Sequence, residues 1–191
     1  MKVLEFISKL STLAISVSRL MEIGYSNEYA NALNEAFYPT KTTRKSSSSD
    51  CVIQLVEEYD SECIGLISPI KFDKEVTETE NYFLIGWLRE DLIAVDKKNN
   101  EVIILAYWDT DLVAYYCSQT TDKFLEAFLI HGIGAFGMKF DKEEDQWAYN
   151  EKKAKEASIA AGGDKYLNFW IDLYPTNDNK SDALNSQGLL N

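Results

Sequence analysis

The run Val102-Ile-Ile-Leu-Ala-Tyr107 constrains this chain more than any other stretch. A strand with one wet face alternates apolar and polar residues, so six apolar residues in succession need cover on both faces. This predicts a strand over Glu101–Trp108, inside a sheet on which helices pack. Its neighbours agree. Asn81-Tyr-Phe-Leu-Ile-Gly-Trp87 is rich in the aromatic and branched residues that suit a pleated surface. Leu92-Ile-Ala-Val95 is apolar again, and Asp96-Lys-Lys-Asn-Asn100 supplies residues that tolerate turn geometry, so a hairpin joins it to the long run. Asp109-Thr-Asp111 reads as the next turn and Leu112-Val-Ala-Tyr-Tyr-Cys117 as the next strand. Thr120 or Thr121 then offers an N-cap, with Asp122 near the positive end of the helix dipole and Phe124, Leu125, Phe128 and Leu129 on one helical face.

On either side of this block the spacing is helical. Val3, Phe6, Ile7, Leu10, Leu13, Ala14, Val17, Leu20 and Met21 recur over five turns and predict one long amphipathic helix ending at Gly24. Its polar side is mostly Ser and Thr rather than Lys and Arg, which favours docking on a core over lying on a membrane. Ser26 starts a second helix over residues 27–37, stopped by Pro39. Residues 40–50 are small and polar without periodicity and read as a flexible Ser-rich loop. Residues 51–58 and 63–72 are apolar and read as extensions of the sheet, the second as an edge strand because of Pro69; residues 73–80 read as an acidic loop. Beyond the block, residues 147–161 read as a helix stopped by Gly162-Gly163. Asp164 is then placed to cap a last helix over 165–174, whose Tyr166, Leu167, Trp170, Leu173 and Tyr174 form a packing face. The expectation is an α+β fold: a single domain, a mostly antiparallel sheet wrapped by N-terminal and C-terminal helices, with a polar tail over 176–191. A chain of 191 residues buries one substantial core without needing a second domain.

Charge narrows the partners. With 31 acidic against 19 basic residues the net charge is -12, a field that repels phosphate backbones and anionic lipid. The expectations are no nucleic acid and no membrane contact, and a basic protein as partner. Three cysteines with no C-x-x-C pair suit thiols kept reduced, and no signal-like or bilayer-length apolar segment appears, so the expected location is cytoplasmic.

The motifs that carry chemistry fail on inspection. Gly132-Ile-Gly134-Ala-Phe-Gly137 matches G-x-G-x-x-G, but that motif needs a strand entering the turn. Here the entering segment reads as helical, and Asp141, Glu143, Glu144 and Asp145 follow where a phosphate would sit. Asp141, Glu143 and Asp145 imitate the first positions of a calcium loop, yet Gln146 and Lys152 stand where Gly and Glu are required. His131 is the only histidine, which excludes paired-imidazole metal sites, and no G-x-S-x-G elbow accompanies it. No catalytic, metal or cofactor residue is assigned, and no cofactor is expected.

The order helix, helix, then Phe83-Leu-Ile-Gly-Trp87, Leu92-Ile-Ala-Val-Asp96, a Lys-Asn turn, Glu101-Val102 and Phe124-Leu125 on a closing helix resembles the SUKH superfamily of Smi/Knr-like proteins. Ala161-Gly-Gly163 with Tyr166 and Phe169-Trp170 is similar to a terminal helix of its bacterial branches. The resemblance spans residues 1–175, with the Ser-rich stretch as an insertion. It implies a non-catalytic protein-binding domain, in bacteria an immunity protein that neutralises a cognate, basic toxin by direct binding. The alternatives are a regulatory scaffold of the Smi/Knr type and, less favoured, a small carboxylate-dependent enzyme. The contact residues expected for the binding reading are Trp87, Glu90, Asp91, Trp108, Asp109, Asp111, Glu143, Glu144, Asp145 and Trp147. The oligomeric state stays open.

Overall fold

The structure, a computed structural model, describes residues 1–133 and 146–174. Five strands form one antiparallel meander in the order β1-β2-β3-β4-β5: β1 (Ile70–Glu78), β2 (Tyr82–Leu88), β3 (Asp91–Asp96), β4 (Val102–Ala106) and β5 (Asp109–Ser118). The helices are α1 (Val3–Thr12), α2 (Val17–Glu22), α3 (Asn27–Glu35) and α4 (Cys51–Glu58) before the sheet. After it come α5 (Thr121–Ala127, continuing as a π-turn over Phe128–Gly132), α6 (Gln146–Ala161) and α7 (Leu167–Asp172). The α+β expectation holds; β2 and β3 fall where the apolar runs placed them, and β4 lies within its run but ends at Ala106, two residues short of the expected strand end.

Several local expectations are corrected. The single N-terminal helix is two: the chain leaves the helix after Thr12, and Ser16 caps α2 by accepting from the Arg19 N–H at 3.3 Å. The apolar spacing runs on through the break because α1 and α2 bury Phe6, Leu10 and Leu20 in the same core. The Asn34 side-chain amide donates to the Ile15 carbonyl at 2.7 Å, which satisfies backbone the break leaves open. Residues 51–58 are a helix rather than a strand. The Asp50 carboxylate accepts from the Val52 and Ile53 N–H groups at 2.9 and 3.1 Å, and this cap sets the helical turn despite three β-branched residues. The acidic residues after Phe72 belong to β1, not to a loop. Asp164 makes no side-chain cap; its stretch is a 3-10 turn, Asp164–Tyr166, leading into α7. Residues 40–50 make contacts with the end of α4: Lys41 bridges Tyr59, and the Thr42 N–H donates to the Glu58 carbonyl at 2.7 Å. The Ser46 N–H donates to the Glu58 carboxylate at 3.1 Å.

The sheet divides its residues between two apolar clusters. Ile70, Phe72, Ile85, Ile93, Val95, Val102 and Ile104 face the helices and join Phe6, Leu55, Phe124, Phe128 and Trp170 in the main core. Ala94, Ile103 and Leu105 point the other way, buried among Tyr82, Leu84, Leu92 and Val113. All five residues of β4 are therefore buried, as the unbroken run required. The cover differs from the expectation, because helices back one face only. On the other, among the described residues, the cluster is drawn from strands alone. Gly86 marks the tightest crossing in the sheet, since a Cβ there would lie 2.1 Å from the Lys71 carbonyl. At the far end Gly162 and Gly163, at φ +123° and +119°, stop α6 and turn the chain into α7.

The two edges of the sheet are unlike. Beside β1 lie α4 and the 3-10 turn Ser61–Leu66. The Arg44 guanidinium donates to the Lys74 carbonyl and the Ser61 hydroxyl to that of Asp73 at 3.5 Å. At the end of β5 the Trp170 indole donates to the Cys117 carbonyl at 3.1 Å, and the Gln119 N–H to that of Ala161 at 2.8 Å. The first half of β5, from Asp109 to Leu112, is exposed.

Candidate protein-docking surface

Strand direction alone brings the β2–β3 and β4–β5 turns to the same end of the meander, and hydrogen bonds fix their relation. Asp91 opens β3, and its carboxylate accepts from the Tyr107 N–H at 3.2 Å, clamping one turn to the other. Asp109 accepts from the Asp111 N–H at 3.0 Å, fixing the far side of the β4–β5 hairpin. Tyr107 and Trp108 occupy the turn between them, with rings edge to face at a 5.5 Å centroid separation and exposures of 55% and 68%. The sequence reading put this turn at residues 109–111; the structure moves it two residues earlier. Tyr107 therefore leaves the buried strand, and Asp109 enters β5.

Trp87 lies one pair in from the turn, opposite Leu92, on the face that no described helix covers. Its indole donates to the Asp73 carboxylate at 2.9 Å and its ring is 40% exposed. Burial pushes the Asp73 carboxyl above its ordinary range, against the hydrogen bond from Trp87 and with help from nearby Glu62. Leu112 and Tyr116 add exposed apolar surface along β5. Of the ten expected contact residues, then, the structure gathers Trp87, Glu90, Asp91, Trp108, Asp109 and Asp111 at one end of the sheet. Glu143, Glu144 and Asp145 lie outside the described residues, as does the side chain of Trp147. Tyr107, Leu112, Tyr116 and Asp73 were missed. Tyr107 was hidden in the apolar run, and Asp73 in a stretch read as loop.

Elsewhere the polar groups serve the fold. Glu101, 9% exposed, closes the β3–β4 turn onto the C-terminal helices. Tyr166 donates to it at 2.8 Å, the Asn99 amide at 3.0 Å, and Lys165 pairs with it while lying 4.0 Å over the Tyr116 ring. Burial alone would raise the Glu101 carboxyl, but the bonds from Lys165 and Tyr166 outweigh it and hold the group below its ordinary range. An open cleft of about 760 Å³ lies between the N-terminal residues and the starts of α4 and α5. Its carboxylates are engaged: Asp50 caps α4, and Asp122 pairs with the Met1 amine at 3.3 Å. Burial pushes the Cys51 and Cys63 thiols to about 11, so they stay protonated at neutral pH. The segment entering Gly132 is helical, as the sequence implied; the rest of that glycine motif lies outside the described residues. His131 is buried with its ring edge on Tyr174 at 4.9 Å, and burial pushes its pKa down to about 4.

Among the described residues no group of three or more His, Cys, Asp or Glu side chains is placed to hold a metal ion, and no helix is long and apolar enough to cross a membrane. Comparison with protein-family models, with curated proteins and with solved structures returned no match.

Proposed function

We propose that this chain is a non-catalytic protein-binding domain that works in the cytoplasm. In the reading that the SUKH resemblance suggests, it is an immunity protein that neutralises a basic toxin by occupying it. The observation that carries the proposal is the end of the sheet where Trp87, Tyr107 and Trp108 stand exposed among Glu90, Asp91, Asp109 and Asp111. Exposed aromatic residues are expensive to keep in water, and at interfaces they supply most of the binding energy. Carboxylates around them attract a cationic surface and speed encounter, and the net charge of -12 extends the same field over the molecule. Inhibition by occupation needs no bond-making groups, only complementary shape and charge.

The test is co-expression with the protein encoded beside it. The expected result is a complex that copurifies, weakens as salt rises, and relieves the growth arrest caused by the neighbouring protein alone. A neighbour that neither binds nor harms the cell would overturn the immunity reading. A regulatory scaffold would instead bind several unrelated partners through the same surface.

A further inference from the structure

We infer that the β4–β5 hairpin tip is the anchor of this surface, with Trp108 entering an apolar pocket on a partner whose pocket rim carries Lys and Arg. This rests on the protein-binding reading and adds the mode of recognition to it. Two-residue hairpin turns favour Gly, Asn or Asp, because the turn types that match strand twist need positive φ. Two of the other three hairpins of the meander do place a residue in that region, Arg89 at φ +58° and Asn100 at +64°. Tyr107 and Trp108 do not: both are bulky and neither has positive φ, so their turn does not match the strand twist. The misfit appears as a bulge: Ala106 pairs with Asp109, but Leu105 pairs with Val113, which leaves residues 110–112 without partners on β4. A turn that sacrifices strand pairing to display two aromatic rings breaks a local rule, and such breaks gather where a protein contacts something else.

The same geometry decides how the partner binds. Strand addition to β5 is disfavoured, since an irregular, acid-bearing edge is what folds use to prevent it. A second copy is disfavoured too, because a two-fold contact at the tip would set Asp109 and Asp111 against themselves. Insertion of a side chain is what remains. Asp91 on one side and the Asp109–Asp111 bond on the other hold the tip in place, so the rings lose little freedom on binding.

The experiment uses the full chain and the purified protein encoded beside it, with association and dissociation rates measured at low and high salt. Trp108→Ala is expected to speed dissociation on the order of 30-fold or more while leaving the melting temperature in place. The double variant Asp109→Asn with Asp111→Asn is expected to slow association several-fold and flatten its salt dependence. A complex that forms normally with Trp108→Ala overturns the anchor and leaves the binding function standing. Absence of any complex sinks the function and the anchor with it. Concentration-dependent dimers abolished by Trp108→Ala would make a second copy the occupant and also overturn the proposal.

Discussion

Ile103 and Ile104 are neighbours on one strand, equally buried, and they sit in different worlds. Ile104 shares one continuous core with Phe72 of β1 and with Phe124 and Phe128 of α5 and its π-turn continuation. Ile103 faces Ala94, Leu105 and the strand residues around them, in a layer that among the described residues owes nothing to any helix. Alternation along a strand usually separates buried from wet; here it separates a thick core from a thin one. The thick side holds the fold together. The thin side, freed from carrying helices, carries Trp87 near its end and stops at the turn that displays Tyr107 and Trp108.

Truncation measures the difference. Ile104→Ala should cost about 4 kcal/mol in denaturant unfolding, because rigid neighbours on both the strand and helix sides leave the cavity open. Acid attacks the same side through His131. Its folded pKa of about 4 lies below the ordinary 6.5, so the folded state resists protonation. Stability is full above pH 6.5, falls as pH drops through that value, and has lost about 3 kcal/mol near pH 4. Unfolding midpoints measured from pH 7 to pH 4 check this, and His131→Phe should flatten that part of the profile. Ile103→Ala should cost about 2 kcal/mol, since its strand-borne cover can settle into the gap. Equal costs at 103 and 104 would break the comparison. Trp108→Ala should change stability by less than about 1 kcal/mol, since the ring it meets edge to face, Tyr107, is itself exposed.

Much of the thick side was legible in the sequence. The apolar runs at 83–87, 92–95 and 102–106 fall within strands because they are short, branched and separated by residues that tolerate turns. What escaped was decided by single polar contacts. α4 has a strand-like composition, Cys-Val-Ile-Gln-Leu-Val, and becomes a helix because Asp50 satisfies its first N–H groups. β1 carries Asp73, Lys74 and Glu75, which read as loop, yet an exposed outer strand has room for them. The α1–α2 break has neither Gly nor Pro, and its periodicity continues in step across it. At the docking surface the acids and tryptophans were legible as types. Their convergence depended on a turn at Tyr107 and Trp108 that turn propensities place two residues later, because aromatic side chains are poor turn formers.

The guanidinium of Arg44, seated against β1, has a consequence for assembly. Filaments of stacked sheets grow only if every chain offers two free borders, one to receive and one to donate. With Arg44 and Ser61 seated on the Lys74 and Asp73 carbonyls, two acceptors in the middle of the first border are already taken, which disfavours receiving a strand there and, with it, edge-to-edge growth.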